Sequence, residues 1–392
     1  MAQSAEIWDA AVIGAGPAGA MAALAAASRS KRVVILERFR IPRYKTCGGG
    51  LIGASMNMIP EGIVPPIRAT ATSFTFSLRG RSERTKKSGA PLLHLVQRAE
   101  FDALLIGAAT AAGAVVYDST VVTHLTAEDD VMRITTRNRG DVCARIVVGA
   151  DGSTGRSSAY VGVVFDQVDL GLEVELVTPG DQSGDWADRM LIDWGSVPGA
   201  YGWVFPKGDT LSAGVIAERG NPDLTRTYLN DFLSRLHLDH LEPVVSSGHL
   251  TRCRARGSPL YRGRVLVAGD AAGLLEPWTR EGISFAMRSG AMAGRAAARA
   301  AAAASTAEVS SALAAYADEI SSALEPEMRA GRMFLRAFAR HPRVFYTAII
   351  LLPKAWDIVV RTITGQASFA GIAKQPLVRV VLMALGGGGK DS

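Results

Sequence analysis

Ile7-Trp8-Asp9-Ala10-Ala11-Val12-Ile13 runs directly into Gly14-Ala15-Gly16-Pro17-Ala18-Gly19, and the alanine-rich stretch behind it gives way to Val33-Val34-Ile35-Leu36-Glu37. The pattern reads as strand 7–13, helix 17–29 and strand 33–37, a βαβ unit with a glycine turn at its first corner. Gly14 allows the tight turn, Gly16 lets the backbone approach a pyrophosphate, and Gly19 lets the helix pack closely. Pro17 and Ala18 open the helix, whose N-terminus faces the phosphate charge. Glu37, 18 residues past Gly19, ends the second strand where an acid bonds a ribose hydroxyl, with Arg38 beside it. The unit predicts dinucleotide binding; without its strand, helix and acid the same motif is an ordinary glycine turn.

Outward from this unit, residues 98–112 read as helical, with strands near 115–122, 131–137 and 142–150. Residues 264–269 form another short buried strand, and a helix from about 282 continues through the alanine-rich stretch 291–304. The stretches 70–97 and 161–257 are strand-rich and carry the aromatics. The expected organisation is a discontinuous nucleotide domain (1–70, 98–160 and 258–320), an inserted sheet domain (71–97 and 161–257) and a helical region, 321–392. The 392 residues, 48% apolar and 20% charged, suffice for a sizeable shared core. Cys47, Cys143 and Cys253 are far apart and form no CxxC pair, which argues against a disulfide framework or a zinc site and for a reduced, cytoplasmic compartment. The six histidines show no metal-ligand grouping, so no metal is expected. Met1 to Asp9 lacks the features of a secretion signal. Ala10 to Ser28 is uncharged but interrupted by glycines and Pro17, and Val344 to Pro353 is too short to span a bilayer.

The net charge of +6 is unevenly placed. Residues 328–385 hold nine Lys or Arg, including Arg336, Arg340 and Arg343, against the single acid Asp357, so this segment is +8 and the remainder −2. A basic, apolar tail points to a membrane surface or another acidic partner, and the expected place is peripheral, on the inner face of the cell membrane; a helical cap packed on the nucleotide domain with its arginines in water fits the same residues. No nucleic-acid-binding motif is present, and nucleic acid is not expected as a partner.

Two later motifs extend the site. Ala150-Asp151-Gly152-Ser153 follows a strand, with Arg156 beyond it; Arg264-Val-Leu-Val-Ala-Gly269-Asp270-Ala-Ala-Gly273 ends another. Asp270 suits a ribityl or ribose hydroxyl, and the helix starting at Gly282-Ile283 can aim backbone N–H groups at an anionic ring. In this order and spacing, and with Arg98-Ala-Glu-Phe101-Asp102-Ala-Leu-Leu105, these motifs resemble the flavoprotein group that includes aromatic hydroxylases, halogenases and geranylgeranyl reductases. The resemblance implies FAD as cofactor, contacted by Arg98. It also implies an α/β (α+β) fold: a glutathione-reductase-like Rossmann domain, an inserted antiparallel-sheet substrate domain and a helical C-terminal tail. Lys45-Thr46-Cys47-Gly48-Gly49-Gly50-Leu51 looks like the glycine loop that such proteins place beside the isoalloxazine.

Pro198-Gly-Ala-Tyr201-Gly-Trp203-Val-Phe205-Pro206-Lys207 resembles the geranylgeranyl reductases more narrowly, although halogenases carry a related Trp-x-Trp-x-Ile-Pro run and the following Ser212-Ala-Gly214-Val215 has one glycine fewer than the family pattern. On a strand, Tyr201, Trp203 and Phe205 point to one face as an aromatic wall. Such a wall suits a prenyl chain, and ring faces stabilise the cationic character an alkene acquires on protonation; spacing alone fits an ordinary core stripe as well. Trp278 is expected along the substrate channel. Cys47 is a proton donor or a packing residue, and Glu276 and Glu281 read as helix caps. The resemblance implies reduction of an isoprenoid C=C bond. Across Gly269 to Gly290 the chain is most similar to actinobacterial menaquinone reductases, which implies reduction of one isoprene unit of the menaquinone side chain. Other polyprenyl lipids or diphosphates, an aromatic monooxygenase or halogenase, and a non-catalytic FAD-containing lipid-binding protein stay open. Without a second GxGxxG unit, the electron donor is NADPH in transient contact or a redox protein.

Overall fold

Strand Ile7–Ile13 lies in the middle of an eight-stranded sheet, between Val142–Gly149 and Val33–Leu36. Val265–Val267 and Val115–Tyr117 flank these, and the five are mutually parallel. Both faces of such a sheet are covered, and its strands are correspondingly continuous apolar runs. The register brings Ile13, Leu36, Gly149 and Val267 level at the carboxyl ends. The turns that follow them therefore open on one crevice, where open α/β sheets bind ligands. The computed structural model describes residues 6–178, 183–195 and 197–387. Part of the stretch read for a leader, residues 1–5, thus lies outside the described residues, as does the end of the tail.

Helices Pro17–Ala27, Arg98–Ala111 and Ile283–Ala301 pack together on the sheet. The alanine and glycine content of the last is a packing requirement: a Cβ at Gly290 would meet Ala18 O at 2.2 Å, and one at Gly294 would meet Ala22 O at 2.2 Å. Two backbones at that separation exclude any side chain.

The second sheet has seven strands in the order Pro243–Arg254, Phe165–Val177, Thr210–Glu218, Tyr201–Pro206, Arg189–Trp194, Ser73–Leu78 and Arg81–Lys87. It departs from the expected antiparallel sheet at one junction, where Ser73–Leu78 and Arg189–Trp194 pair in parallel. A parallel pair needs a long crossover, and the chain between them supplies it by passing through the nucleotide sheet. Two further expectations are corrected. The stretch 115–122 is a short strand, Val115–Tyr117, followed by a separate strand, Val122–Glu128, that pairs antiparallel with Val131–Thr136. Strand Leu93–Val96 joins not the large sheet but a small one with Ile67–Ala71 and Gly50–Leu51.

The C-terminal region is helical: Glu325–Arg340, Pro342–Leu351, Pro353–Ile363, Phe369–Ala373 and Pro376–Ala384. Three of these begin at a proline, which fits the first helical turn and breaks whatever precedes it. The prolines turn a potential long helix into a folded cap. The cap is pressed against the nucleotide half, since a Cβ on Gly53 would meet Thr364 O at 2.0 Å. No helix among the described residues is long and apolar enough to cross a membrane.

Candidate active site

A single cavity of about 2090 Å³ runs from the Gly14 turn, past the Cys47 loop and the Tyr201–Phe205 wall, to the C-terminal helices. Ligand pockets ordinarily span roughly 300–1,000 Å³, so this volume accommodates a cofactor and a second molecule together.

At the nucleotide end Gly14 has φ +100°, and a Cβ there would meet Ala150 O at 2.3 Å. Gly16 differs: its nearest neighbour would be Arg43 Nη2 at 3.6 Å, so the space above it is cavity. Gly19 does not line the cavity. A Cβ on it would meet Gly14 O at 1.9 Å, so it acts by packing the turn against the helix. Glu37 is buried; its Oε2 accepts from Ala15 N at 2.8 Å and its Oε1 from Phe39 N at 3.1 Å. Arg43 was not singled out from the sequence. Its Nε lies 3.4 Å from Glu37 Oε2 and its Nη1 3.1 Å from Asp102 Oδ2, leaving a guanidinium on the cavity wall beside Gly16. The available signal was its place in a polar loop six residues after Glu37. Arg38, exposed, lines the same end.

Arg98 pairs through two hydrogen bonds, of 2.9 and 3.0 Å, with Asp102. Burial works against its charge, but Asp102 and the nearby Cys47 outweigh that and hold it above the usual arginine range. Asp151 lines the cavity, yet its Oδ2 accepts from Arg156 N at 2.7 Å and Ser157 N at 3.1 Å, capping helix Arg156–Val161. Asp270 lies on the wall with His249 Nε2 3.6 Å away. Burial raises its pKa, but His249, Lys45 and Arg98 outweigh this and hold it below the usual carboxylate range. Gly269 is off the wall, its absent Cβ leaving room for Ala18 at 2.8 Å. Gly152, Gly282 and Ile283 line the cavity. Glu281 caps the following helix through Ser284 N at 2.7 Å, and Glu276 caps the turn through Trp278 N at 3.1 Å.

Pro17, Ala18, Cys47, Gly48 and Gly49 are also on the wall. Cys47 Sγ accepts from Gly49 N at 3.4 Å, and Gly49 has φ +75°. The loop is pressed onto the aromatic strand, since a Cβ on Gly48 would meet Phe205 Cδ2 at 2.6 Å and Trp203 Nε1 at 3.5 Å. Tyr201, Trp203 and Phe205 all face the cavity, Tyr201 and Trp203 with ring centroids 6.2 Å apart. Gly214 makes room for the indole: a Cβ there would meet Trp203 Cζ2 at 2.3 Å. Trp278 stacks on Phe334 at 5.4 Å and meets Phe345 and Phe369 edge-on. These three phenylalanines of the C-terminal region also line the cavity and were not foreseen. They come from three separate helices, and each on its own helix looks like an ordinary packing residue.

The cradle fits FAD: an open glycine turn at a helix N-terminus with an arginine beside it, a buried acid at the next strand end, and a second helix N-terminus farther along. Residues 8–192 match the FAD binding domain family. An uncharacterised protein of Methanosarcina barkeri is 30% identical over 73% of this chain and 73% of its own. The chain belongs to the FAD-binding flavoprotein family. This flavoprotein is also 28% identical, over 74% of its length and 77% of the relative, to digeranylgeranylglycerophospholipid reductase 3 of Methanosphaera stadtmanae. Among solved structures, a geranylgeranyl bacteriochlorophyll reductase-like protein from Thermoplasma acidophilum superposes with TM-score 0.79, 22% identity and 97% and 99% coverage of the two chains. The flavin-dependent brominase Bmp2 superposes with TM-score 0.73, 18% identity and 97% and 98% coverage. At these identities the two structures establish the fold.

Proposed function

We propose that this flavoprotein reduces an isolated C=C bond in the isoprenoid chain of a membrane lipid. The observation that carries the reading is the continuity of the cavity, from the FAD cradle along Tyr201, Trp203 and Phe205 to an exposed apolar rim. Val344, Leu352, Leu377 and Val381 line the cavity and are also solvent-exposed, at 44%, 55%, 77% and 43%. A long apolar chain can thread such a passage with its polar head left outside. The reductase names among the relatives support the same chemistry.

Gly14, Gly16, Arg43 and the start of helix Pro17–Ala27 hold the pyrophosphate, Glu37 and Arg38 the adenosine ribose, and Asp270 a hydroxyl farther along. Gly48, Gly49, Gly282 and Ile283 border the flavin ring, where Arg98 backs the Cys47 loop. Bound FAD, once reduced, supplies a hydride. Tyr201 and Trp203 face the alkene and favour positive charge on it, by about 1–2 kcal/mol in a desolvated site.

The substrate we favour is menaquinone, reduced at one isoprene unit of its side chain. A membrane quinone suits both the apolar rim and the exposed Arg343, Lys354, Lys374 and Arg379 around it. We assign the protein to the inner membrane surface, with NADPH or a redox protein as electron donor. The test is anaerobic: photoreduced enzyme is mixed with vesicles holding menaquinone, geranylgeranyl diphosphate or a geranylgeranyl ether lipid. Flavin reoxidation is expected, with two hydrogens gained in the menaquinone side chain and retained after the quinol is reoxidised in air. Reoxidation by only another prenyl lipid overturns the menaquinone assignment. No anaerobic reoxidation, with oxygen consumption coupled to an oxygenated or halogenated aromatic product, replaces the reductase reading.

A further inference from the structure

Behind the aromatic wall lies a set of buried charges that FAD binding does not use. Lys207, only 1% exposed, places its Nζ 2.7 Å from Glu175 Oε1 and 3.7 Å from Glu173 Oε1, and donates to Cys47 O at 2.9 Å. Glu173 is also 1% exposed and lines the cavity. Its Oε1 accepts from Ser212 Oγ at 2.8 Å, and that hydroxyl accepts from Trp203 Nε1 at 3.0 Å. Its Oε2 is buried and has no hydrogen-bond partner among the described residues.

We propose that Glu173 is the acid that delivers the proton completing C=C reduction in this cavity, an inference that rests on the reductase reading above. Two buried carboxylates share one ammonium, and the ammonium is committed to Glu175 by the shorter contact. If both acids were ionised, one negative charge would stay buried without compensation, which costs more than protonation. Burial accordingly raises the Glu173 pKa, and Glu175 adds to this, while Lys207, Ser212 and Lys45 act in the opposite sense without cancelling it. Tyr44, from the loop preceding Cys47, and Ser247, opposite Glu173 on strand Pro243–Arg254, complete its surroundings.

The position matches the task. Glu173 Oε1 is two hydrogen bonds from the Trp203 N–H, which itself lies beside Gly48 in the flavin-side loop. In the reaction the alkene π bond breaks. One carbon takes the hydride that reduced flavin supplies, and the other takes the Glu173 proton. Lys207 and Ser212 hold the carboxylate left behind until water reprotonates it. Two electrons leave the flavin, and two C–H bonds form.

Two measurements test this. The first is the infrared difference between oxidised holoenzyme and its Glu173→Gln variant at neutral pH. It should contain a protonated-carboxyl carbonyl band that shifts in D2O; no such band means Glu173 is ionised and overturns the proposal. The second is single-turnover reoxidation of prereduced enzyme by prenyl lipid. The parent rate should fall as pH rises through the Glu173 pKa, and Glu173→Gln should be slower by about 100-fold or more and flat with pH, the loss expected of a general acid. A parent-like rate in Glu173→Gln overturns the proposal, and a loss confined to Cys47→Ser assigns the proton to the thiol instead. Should Glu173→Gln not fold, the band is sought in Glu173→Asp and in parent labelled with carbon-13 glutamate, with the same criterion. A band without any prenyl-lipid turnover removes the reaction, and the donor role with it, but leaves the neutral acid standing.

Discussion

Replacing Trp203 with leucine separates its two possible roles, a face for the substrate and a filler of the core. The indole is 8% exposed, occupies space left by Gly214, and donates to Ser212. Leucine keeps an apolar side chain there, so the stability loss should stay well below the ~3–5 kcal/mol of truncating a buried Trp to alanine. Ser212 loses a donor but keeps its bond to Glu173, which adds about 1 kcal/mol. What disappears is the ring face, worth about 1–2 kcal/mol to a carbon with cationic character. That corresponds to roughly a 5- to 30-fold slower chemical step. The assay is anaerobic stopped-flow reoxidation of prereduced enzyme by prenyl lipid, alongside FAD content and a thermal melt. Full FAD occupancy, a small shift in Tm and a rate within that range are expected. Loss of flavin or failure to fold would show Trp203 to be core packing, and an unchanged rate would show that the ring face contributes nothing.

Glu37→Ala strips the acceptor from the buried Ala15 N–H and one partner from Arg43. FAD affinity in a fluorescence titration should fall by the ~1–3 kcal/mol of such orphaned groups, and an unchanged Kd removes Glu37 from the site. Gly214→Ala drives a Cβ into the Trp203 ring and should cost about 1–3 kcal/mol of stability as overpacking, measured by denaturant unfolding; a parent-like midpoint means the indole can move aside freely. Leu352→Glu with Leu377→Glu should reduce sedimentation with anionic vesicles while FAD is retained, and equal binding refutes the apolar rim as the membrane contact. This pair is a cleaner probe than the arginines of helix Glu325–Arg340, because Arg336 and Arg340 are already engaged, donating to Gly387 O and Gly386 O.

By itself the sequence determined the nucleotide half. Its information is local: a glycine can be read as a turn because only glycine tolerates φ +100° against Ala150 O, and Glu37 can be read because a strand of fixed rise carries it to the sheet edge. The motifs at 151 and 269 were legible for the same reason, each being a strand end. That all four strand ends meet at one crevice followed only from the parallel register, which no single segment encodes. Tertiary structure alone decided the rest. The parallel pairing of Ser73–Leu78 with Arg189–Trp194 joins segments separated by four strands of the nucleotide sheet. Phe334, Phe345 and Phe369 lie on three separate helices and become one cavity wall only because the tail folds back over Trp278. Glu173 sits in a strand among residues of similar pattern, and its character comes from Lys207, Ser212 and Glu175, two of them on other segments. Local backbone demands leave a mark on the residue that meets them; the environment of a buried charge is set by residues distant in the chain, and so emerges only on folding.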